Sequence, residues 1–328
     1  MQKPKRLKLD GVLLFDKPLG WTSNDAVQRI RRLFNAEKVG HTGTLDPLAT
    51  GLLPLLFGEA TKFSADLLEA DKTYVAKVRL GSTTDTGDLE GQTVDFTPRQ
   101  AWAPIDESVL QHVFAEFTGC LKQVPPMYSA LKRDGRPLYE YAREGLSLER
   151  ESRDIEILKL QLLSWHPDVT LDGQTETVAE FECLVTCSKG TYIRVLAEDI
   201  GKRLGCGAHL SGLRRIGVGR LELSESVWNH TQLTAATQQT DWDPAMVLGP
   251  VDGLLLSLPS VELDSGLAQR FSHGQRLPLG QRTEQGRVRV YRADGKVLLG
   301  TGLLNNDGAG NSLLSPERLI REHHDART

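Results

Sequence analysis

Stretches with a two-residue hydrophobic period and stretches with a 3.6-residue period alternate irregularly along this chain. That irregularity limits the fold more than any other feature. Tyr74 to Leu80, Arg153 to Leu163 and Thr177 to Cys187 read as strands, as does the shorter Gly11 to Phe15. Helix patterns lie between them. One follows Thr22, where Asp25 completes a capping box and Val27, Ile30 and Phe34 form an apolar stripe. Others cover Glu107 to Phe117 and Tyr192 to Leu204, the latter with Ile193, Leu196, Ala197 and Ile200 on one face. A doubly wound parallel sheet needs a strand–helix repeat that is missing here, so an α+β fold is expected. Around His230 to Pro250 the chain turns polar, which reads as a connection to a small β-rich unit with strand candidates Arg287 to Tyr291 and Lys296 to Leu299.

A chain of 328 residues, 39% hydrophobic, is long enough for about two domains and a sizeable core. The apolar run Leu52 to Phe57 falls far short of the ~20 residues a membrane-spanning helix requires. Gly11 to Phe15 is too short for the apolar part of a secretory leader, so a cytoplasmic location is expected. The cysteines Cys120, Cys183, Cys187 and Cys206 form no CxxC pair and complete no zinc set; reduced thiols and no metal are expected.

The net charge of −4 argues mildly against a polyanionic partner, but its distribution argues the other way. Residues 201–220 hold Lys202, Arg203, Arg214, Arg215 and Arg220 without one acid. Arg29, Arg31, Arg32 and Lys38 form a second group. A third gathers Lys132, Arg133, Arg136 and Arg143 among Tyr128, Tyr139 and Tyr141. Any one group reads as a solvated face; the three together point to an anionic polymer.

The densest chemistry lies in Gly40 to Gly51, where three glycines and three threonines surround one carboxylate, Asp46. Such a loop lets backbone approach a ligand closely, and Pro47 restrains Asp46 to extended geometry. An Asx turn that uses Asp46 only as a cap is the alternative. Phosphate-loop, GxSxG, HExxH, GxGxxG and EF-hand signatures are all missing. A glycosidase needs two facing acids. Asp85 and Asp88, in the loop Thr83 to Asp88, are expected to cap turns instead.

Together with Asp16-Lys17-Pro18-Leu19-Gly20-Trp21-Thr22-Ser23, this loop resembles the catalytic motifs of the bacterial tRNA pseudouridine-55 synthases, the TruB family. Further blocks follow in the same order: Lys72-Thr73-Tyr74, Arg79-Leu80-Gly81 with the loop Asp85 to Gly91, Gln123 to Lys132, Leu138 to Gly145, Cys187 to Arg194, Asp199-Ile200-Gly201 and Leu213-Arg214-Arg215. They span residues 10 to 220. Leu221 departs from the pattern, standing where the family usually has an aromatic.

The resemblance implies a catalytic domain over residues 1–250, a mixed, largely antiparallel sheet with flanking helices, in which residues 123–152 are an insertion that grips RNA. It implies a small PUA-like RNA-binding domain over residues 251–328. The implied activity is the isomerisation of uridine 55 in the T loop of tRNA to pseudouridine, without metal, nucleotide or redox cofactor. The implied partner is the T arm of tRNA, with no protein partner, membrane or guide RNA. Asp46 matches the catalytic aspartate, Tyr74 the aromatic residue beside the target base, and Arg194 the arginine that pairs with and orients the aspartate. Addition of the carboxylate to a carbon centre and assisted elimination through a glycal both fit these residues. Leu213 matches an apolar pocket residue, His41 the group that fills the space left by the flipped nucleotide, and Lys17 a support of the active-site loop. Thr44, Tyr192, Arg215, Lys132, Arg136 and Arg143 complete the expected substrate contacts. An RNA-binding protein with a vestigial loop, or a hydrolase of another N-glycoside, is the competing reading; Asp46, Tyr74 and Arg194 occurring together argue against the first, and the second would leave the basic clusters idle.

Overall fold

The computed structural model describes residues 5–171, 177–306 and 310–321. In chain order the elements begin with β1 (Gly11–Lys17), α1 (Ser23–Leu33), β2 (Val39–His41), β3 (Ala49–Phe57), α2 (Ser64–Leu68) and β4 (Lys72–Leu80). A hairpin of β5 (Ser82–Thr84) and β6 (Thr93–Phe96) leads to α3 (Glu107–Glu116) and β7 (Gly119–Gln123). The small pair β8 (Lys132–Arg133) and β9 (Arg136–Pro137) precedes α4 (Leu138–Arg143). Then come β10 (Arg153–Thr170), β11 (Thr177–Cys187), α5 (Ile193–Leu204), β12 (Ala208–Val218), β13 (Leu221–Glu222), β14 (Trp228–Asn229) and α6 (His230–Ala236). The last group is β15 (Ser260–Leu263), α7 (Ser265–Ser272), β16 (Leu277–Pro278), β17 (Gly286–Arg292), β18 (Val297–Asn306) and β19 (Ser312–Leu319). Among the described residues no helix is long and apolar enough to cross a membrane.

Local sequence accounts for the main elements. Thr22 Oγ1 accepts from Asp25 N at 3.0 Å while Asp25 Oδ2 accepts from Thr22 N at 3.0 Å, the reciprocal cap that starts α1. At the end of α5, Gly205 takes the left-handed conformation (φ 78°) that closes a helix without a Cβ penalty. Strand β4 alternates, turning Tyr74, Ala76, Val78 and Leu80 into the main core. Strand β3 is apolar almost throughout because both its faces are covered. Leu53, Leu55 and Phe57 pack with Val27 and Ile30 of α1, while Leu52 and Leu56 join Val12, Val218 and Leu254 on the other side.

The principal sheet runs β14-β1-β3-β12-β4-β11-β10-β7, with β2 beside β3 and β13 beside β12. Only the pairs β1–β14 and β3–β12 are parallel, so the sheet is mixed and largely antiparallel, as expected. Its centre decides where the chemistry sits. Strand β12 lies between β3 and β4, and its register sets Leu213 opposite both Ala49 and Ala76, and Arg215 opposite both Gly51 and Tyr74.

A second sheet, β15-β17-β18-β19-β16, wraps a separate cluster that includes Val261, Phe271, Val288, Val290 and Leu304. Polar contacts tie it to the first: Lys62 Nζ donates to Leu319 O at 2.8 Å, Arg321 N donates to Glu59 Oε2 at 2.8 Å, and Arg287 bridges Asp66 and Glu317.

The segment His230 to Pro250 is not the loose connection its polarity suggests. Asn229 and Gln232 form a second capping box, Leu233 of α6 is fully buried in the main core, and Trp242 packs edge-on against Phe34 with ring centroids 5.7 Å apart. Gly249 exchanges backbone hydrogen bonds with Val12 at 2.8 and 3.1 Å. A few apolar residues anchor a segment that is polar on average.

Gly51 is where β3 and β12 come closest. Its φ is +101°, and a Cβ there would lie 2.2 Å from Arg215 O. Gly51→Ala combines a strained backbone with a main-chain clash, and is expected to destabilise the protein by about 2–4 kcal/mol in denaturant unfolding.

Candidate active site

Asp46 lies in the loop between β2 and β3, and two neighbouring segments hold that loop. Leu45 N donates to Ser23 Oγ at 2.8 Å, and Gly20 N donates to Pro47 O at 2.9 Å. Lys17 at the end of β1 has no exposed surface; its Nζ donates to Trp21 O at 2.5 Å, Pro18 O at 3.1 Å and Pro47 O at 3.5 Å. Burial lowers its ammonium pKa to about 8, against the attraction of Asp46 and Glu90. Lys17 therefore sits beneath the loop as a brace and does not line the cavities.

Arg194, in the first turn of α5, joins three segments with one side chain. Its Nε donates to Asp46 Oδ2 at 3.0 Å, Nη1 to Thr86 O at 2.7 Å and Nη2 to Tyr128 O at 2.7 Å. The guanidinium is buried while the Asp46 side chain keeps 41% exposure, so the carboxylate is oriented from behind and open in front. A second carboxylate stands nearby. Asp88 Oδ2 is 3.7 Å from Arg194 Nε, and its Oδ1 accepts from Thr86 Oγ1 at 2.6 Å and from Glu90 N at 3.0 Å. Asp85 does cap its turn, accepting from Gln92 N at 2.8 Å. Asp88 caps and also faces the arginine.

Two cavities meet at Asp46. The inner one, about 590 Å³, is lined by Thr44, Tyr74, Tyr192, Leu213 and Arg215 together with Asp46 and Arg194. The outer one, about 550 Å³, is lined by His41, Thr44, Tyr139, Arg143 and the same ion pair. Burial, then Arg215, lowers the pKa of His41. Burial pushes the Tyr74 hydroxyl up, with Arg215 pulling the other way. Arg143 lies over the Tyr139 ring at 5.2 Å.

The expected site residues therefore converge, with exceptions. Lys132 and Arg136 line neither cavity. Arg136 counted as a free cation in the basic segment, yet its Nε meets Glu140 at 2.9 Å, its Nη1 meets Glu144 at 3.0 Å, and it lies 4.6 Å over the Tyr141 ring. Intramolecular acids, four and eight residues on, occupy it. Arg215 is buried against the carbonyls of Leu52 in β3 and Gly43 in the Asp46 loop rather than presented to a phosphate.

Sequence reasoning read Asp88 only as a turn cap beside Asp85, and passed over Glu198. The only signal for Asp88 was its place in a loop with three acids. Glu198 follows Arg194 by one helical turn, and burial, then Asp199, pushes its carboxyl up to about 7. A carboxyl raised in the folded state binds its proton more tightly folded than unfolded, so stability falls as pH rises from 4.5 to about 7. Glu198→Gln is expected to flatten that fall, so that its melting temperature gains on the wild type across this window.

A family model described as "TruB family pseudouridylate synthase (N terminal domain)" matches residues 31–193. Two others, "tRNA pseudouridylate synthase B C-terminal domain" and "Pseudouridine synthase II TruB, C-terminal", match residues 194–256 and 259–320. A relative from Burkholderia lata named "tRNA pseudouridine synthase B" is 54% identical over 97% of this chain and 92% of its own length. One of the same name from Cupriavidus metallidurans is 52% identical over 97% and 98%. Among solved structures, "Crystal Structure of a Cbf5-Nop10-Gar1 Complex" aligns with a TM-score of 0.67 at 25% identity, covering 94% of this chain and 84% of that one. "Structure of H/ACA RNP bound to a substrate RNA containing 2'-deoxyuridine" aligns with a TM-score of 0.68 at 23% identity over 95% and 85%, a likeness of fold.

Proposed function

Because the chain belongs to the TruB family of pseudouridylate synthases, we propose that it converts uridine 55 in the T loop of tRNA to pseudouridine, alone and in the cytoplasm. The observation that carries this reading is the Asp46–Arg194 pair at the junction of an inner cavity and an outer one. A uridine in a folded T arm cannot present its ribose to a carboxylate unless it is flipped out, at a cost of a few kcal/mol. The outer cavity receives the strand, and His41 takes the space the nucleotide leaves. The inner cavity holds the uracil between Tyr74 and Leu213.

The reaction breaks N1–C1′, turns the uracil and joins C5 to C1′. As uracil leaves with the bonding electrons, positive charge grows on the ribose, and the fixed Asp46 carboxylate stabilises it at C1′. Arg194, bound to two backbone carbonyls besides Asp46, keeps that carboxylate in place through both halves of the reaction. Tyr74 stacks on the base, and its oxygen accepts a proton from the ribose. Residues 123–152 grip the T arm by backbone and shape, which removes any need for a guide RNA, and the PUA-like residues 251–328 hold a second part of the tRNA. The relatives' name, tRNA pseudouridine synthase B, supports tRNA as the substrate.

Incubating the pure protein with an unmodified tRNA transcript and mapping pseudouridine tests the reading. Modification at position 55, lost on replacing that uridine with cytidine, is the expected result; modification elsewhere in its place overturns it. Asp46→Asn is expected to abolish isomerisation while leaving tRNA affinity within about threefold, since affinity comes from phosphate and stacking contacts.

The occupied state of Arg136 changes the expectation for salt. Replacing Lys132 or Arg143 with alanine should lower the log–log salt slope of tRNA binding by about one unit each. Arg136→Ala should leave the slope unchanged, because Glu140 and Glu144 already neutralise it. Slopes measured on the three variants check this.

A further inference from the structure

Arg215 is a buried cation that the reaction described above leaves unused. Its side chain is among the largest fully buried ones in the protein. Its Nε donates to Leu52 O at 2.8 Å and Nη2 to Gly43 O at 3.1 Å, and the Tyr74 hydroxyl, in the same cavity, lies near enough to interact with its charge. Among the described residues no carboxylate forms an ion pair with it. The two carbonyls replace part of its hydration but carry no opposite charge, so the cation is incompletely compensated in the resting protein. The titratable groups its charge acts on are Tyr74, Lys17, His41 and Lys72, none of them a carboxylate. The Tyr74 hydroxyl faces Arg215 from β12, Cys187 from β11 and Asp46 from its loop. Tyr74 and Arg215 are directly paired across β4 and β12, so both side chains leave the sheet on the same face. The group that acts on its charge and would gain a negative charge on ionising is the phenol.

We propose that Arg215 is a positioning residue for Tyr74: anchored by Gly43 and Leu52, it fixes the phenol beside Asp46 and provides the counter-charge for the phenolate form. This rests on the reading of Tyr74 as proton acceptor. The phenolate takes the ribose C2′ proton, the C2′–H electrons form a C1′–C2′ double bond, and the N1–C1′ pair leaves on uracil. When C5 joins C1′, the phenol returns its proton to C2′ and is a phenolate again; the C5 hydrogen is then replaced by one on N1. Atoms and charge balance, with no co-reactant. The same cation ties the Asp46 loop to the strand that carries the base, so the carboxylate and the phenolate are set by one side chain.

A mere brace for Gly43 would look alike in a single variant, so the test is a cycle of single-turnover rates on unmodified tRNA. Arg215→Gln is expected to slow isomerisation about 100-fold with tRNA affinity nearly unchanged, the effect of a two-unit change in proton affinity. Added to Tyr74→Phe, it should cost less than about threefold more, because its effect passes through the missing hydroxyl. With 3,5-difluorotyrosine at position 74, whose phenol is more acidic, the Arg215→Gln protein should regain at least about tenfold. Should Arg215→Gln lose its cooperative melting transition, Arg215→Lys takes its place, retaining a charge without the planar fork. Losses that add fully in the Tyr74→Phe background, with no gain from fluorination, overturn the role of Arg215 alone. Normal turnover by Tyr74→Phe overturns the reading of Tyr74, and this inference with it.

Discussion

A single buried guanidinium organises the site. Arg194 binds Asp46, the carbonyl of Thr86 and the carbonyl of Tyr128, and these partners belong to three loops distant in sequence. Arginine suits the task because its planar fork offers donors in fixed directions, whereas a lysine ammonium is a compact point charge without that fixed geometry. Once α5 is docked on the sheet through Ile193, Leu196, Ala197 and Ile200, the position of the guanidinium is set, and the loops are set with it. The hydrophobic core thus determines the geometry of the polar site beside it.

The sheet contributes a second constraint. Parallel pairing of β3 with β12 brings the strand that follows the Asp46 loop alongside the strand that carries Leu213 and Arg215, and antiparallel pairing of β12 with β4 adds Tyr74 from the other side. Three strands distant in sequence deliver their residues to one face because side chains alternate with a period of two. A slip of one residue in β12 would send Leu213 and Arg215 to the opposite face. The bulges between Leu210 and Gly212 and between Arg215 and Gly217 bracket the functional stretch and fix its register.

Much of this was legible in the residues. The Thr22–Asp25 cap, the alternation of β4 and the glycine-rich loop around Asp46 are local patterns, and local patterns survive in a linear sequence. The mixed α+β architecture followed from the absence of a strand–helix repeat. The importance of Asp88 was not legible, because the charge it faces comes from a helix more than a hundred residues along the chain. Arg136 misled for the opposite reason: its acids are close in sequence, yet a count of basic residues passes over them. The segment His230 to Pro250 misled because an average over polar residues hides Leu233 and Trp242, which anchor it.

The two sheets have separate apolar clusters, and the contacts joining them run through Lys62, Glu59, Asp66, Arg287 and Glu317. Charged contacts that reach solvent contribute little free energy each and weaken as salt rises. The two cores are therefore coupled far more weakly than either is held together within itself. Heat should melt them as distinct cooperative units, so the van't Hoff enthalpy of either transition will fall below the total calorimetric heat. A melting temperature measured on such a chain belongs to one unit, and for a substitution at Glu198 or Arg215 that unit is the one built on the principal sheet.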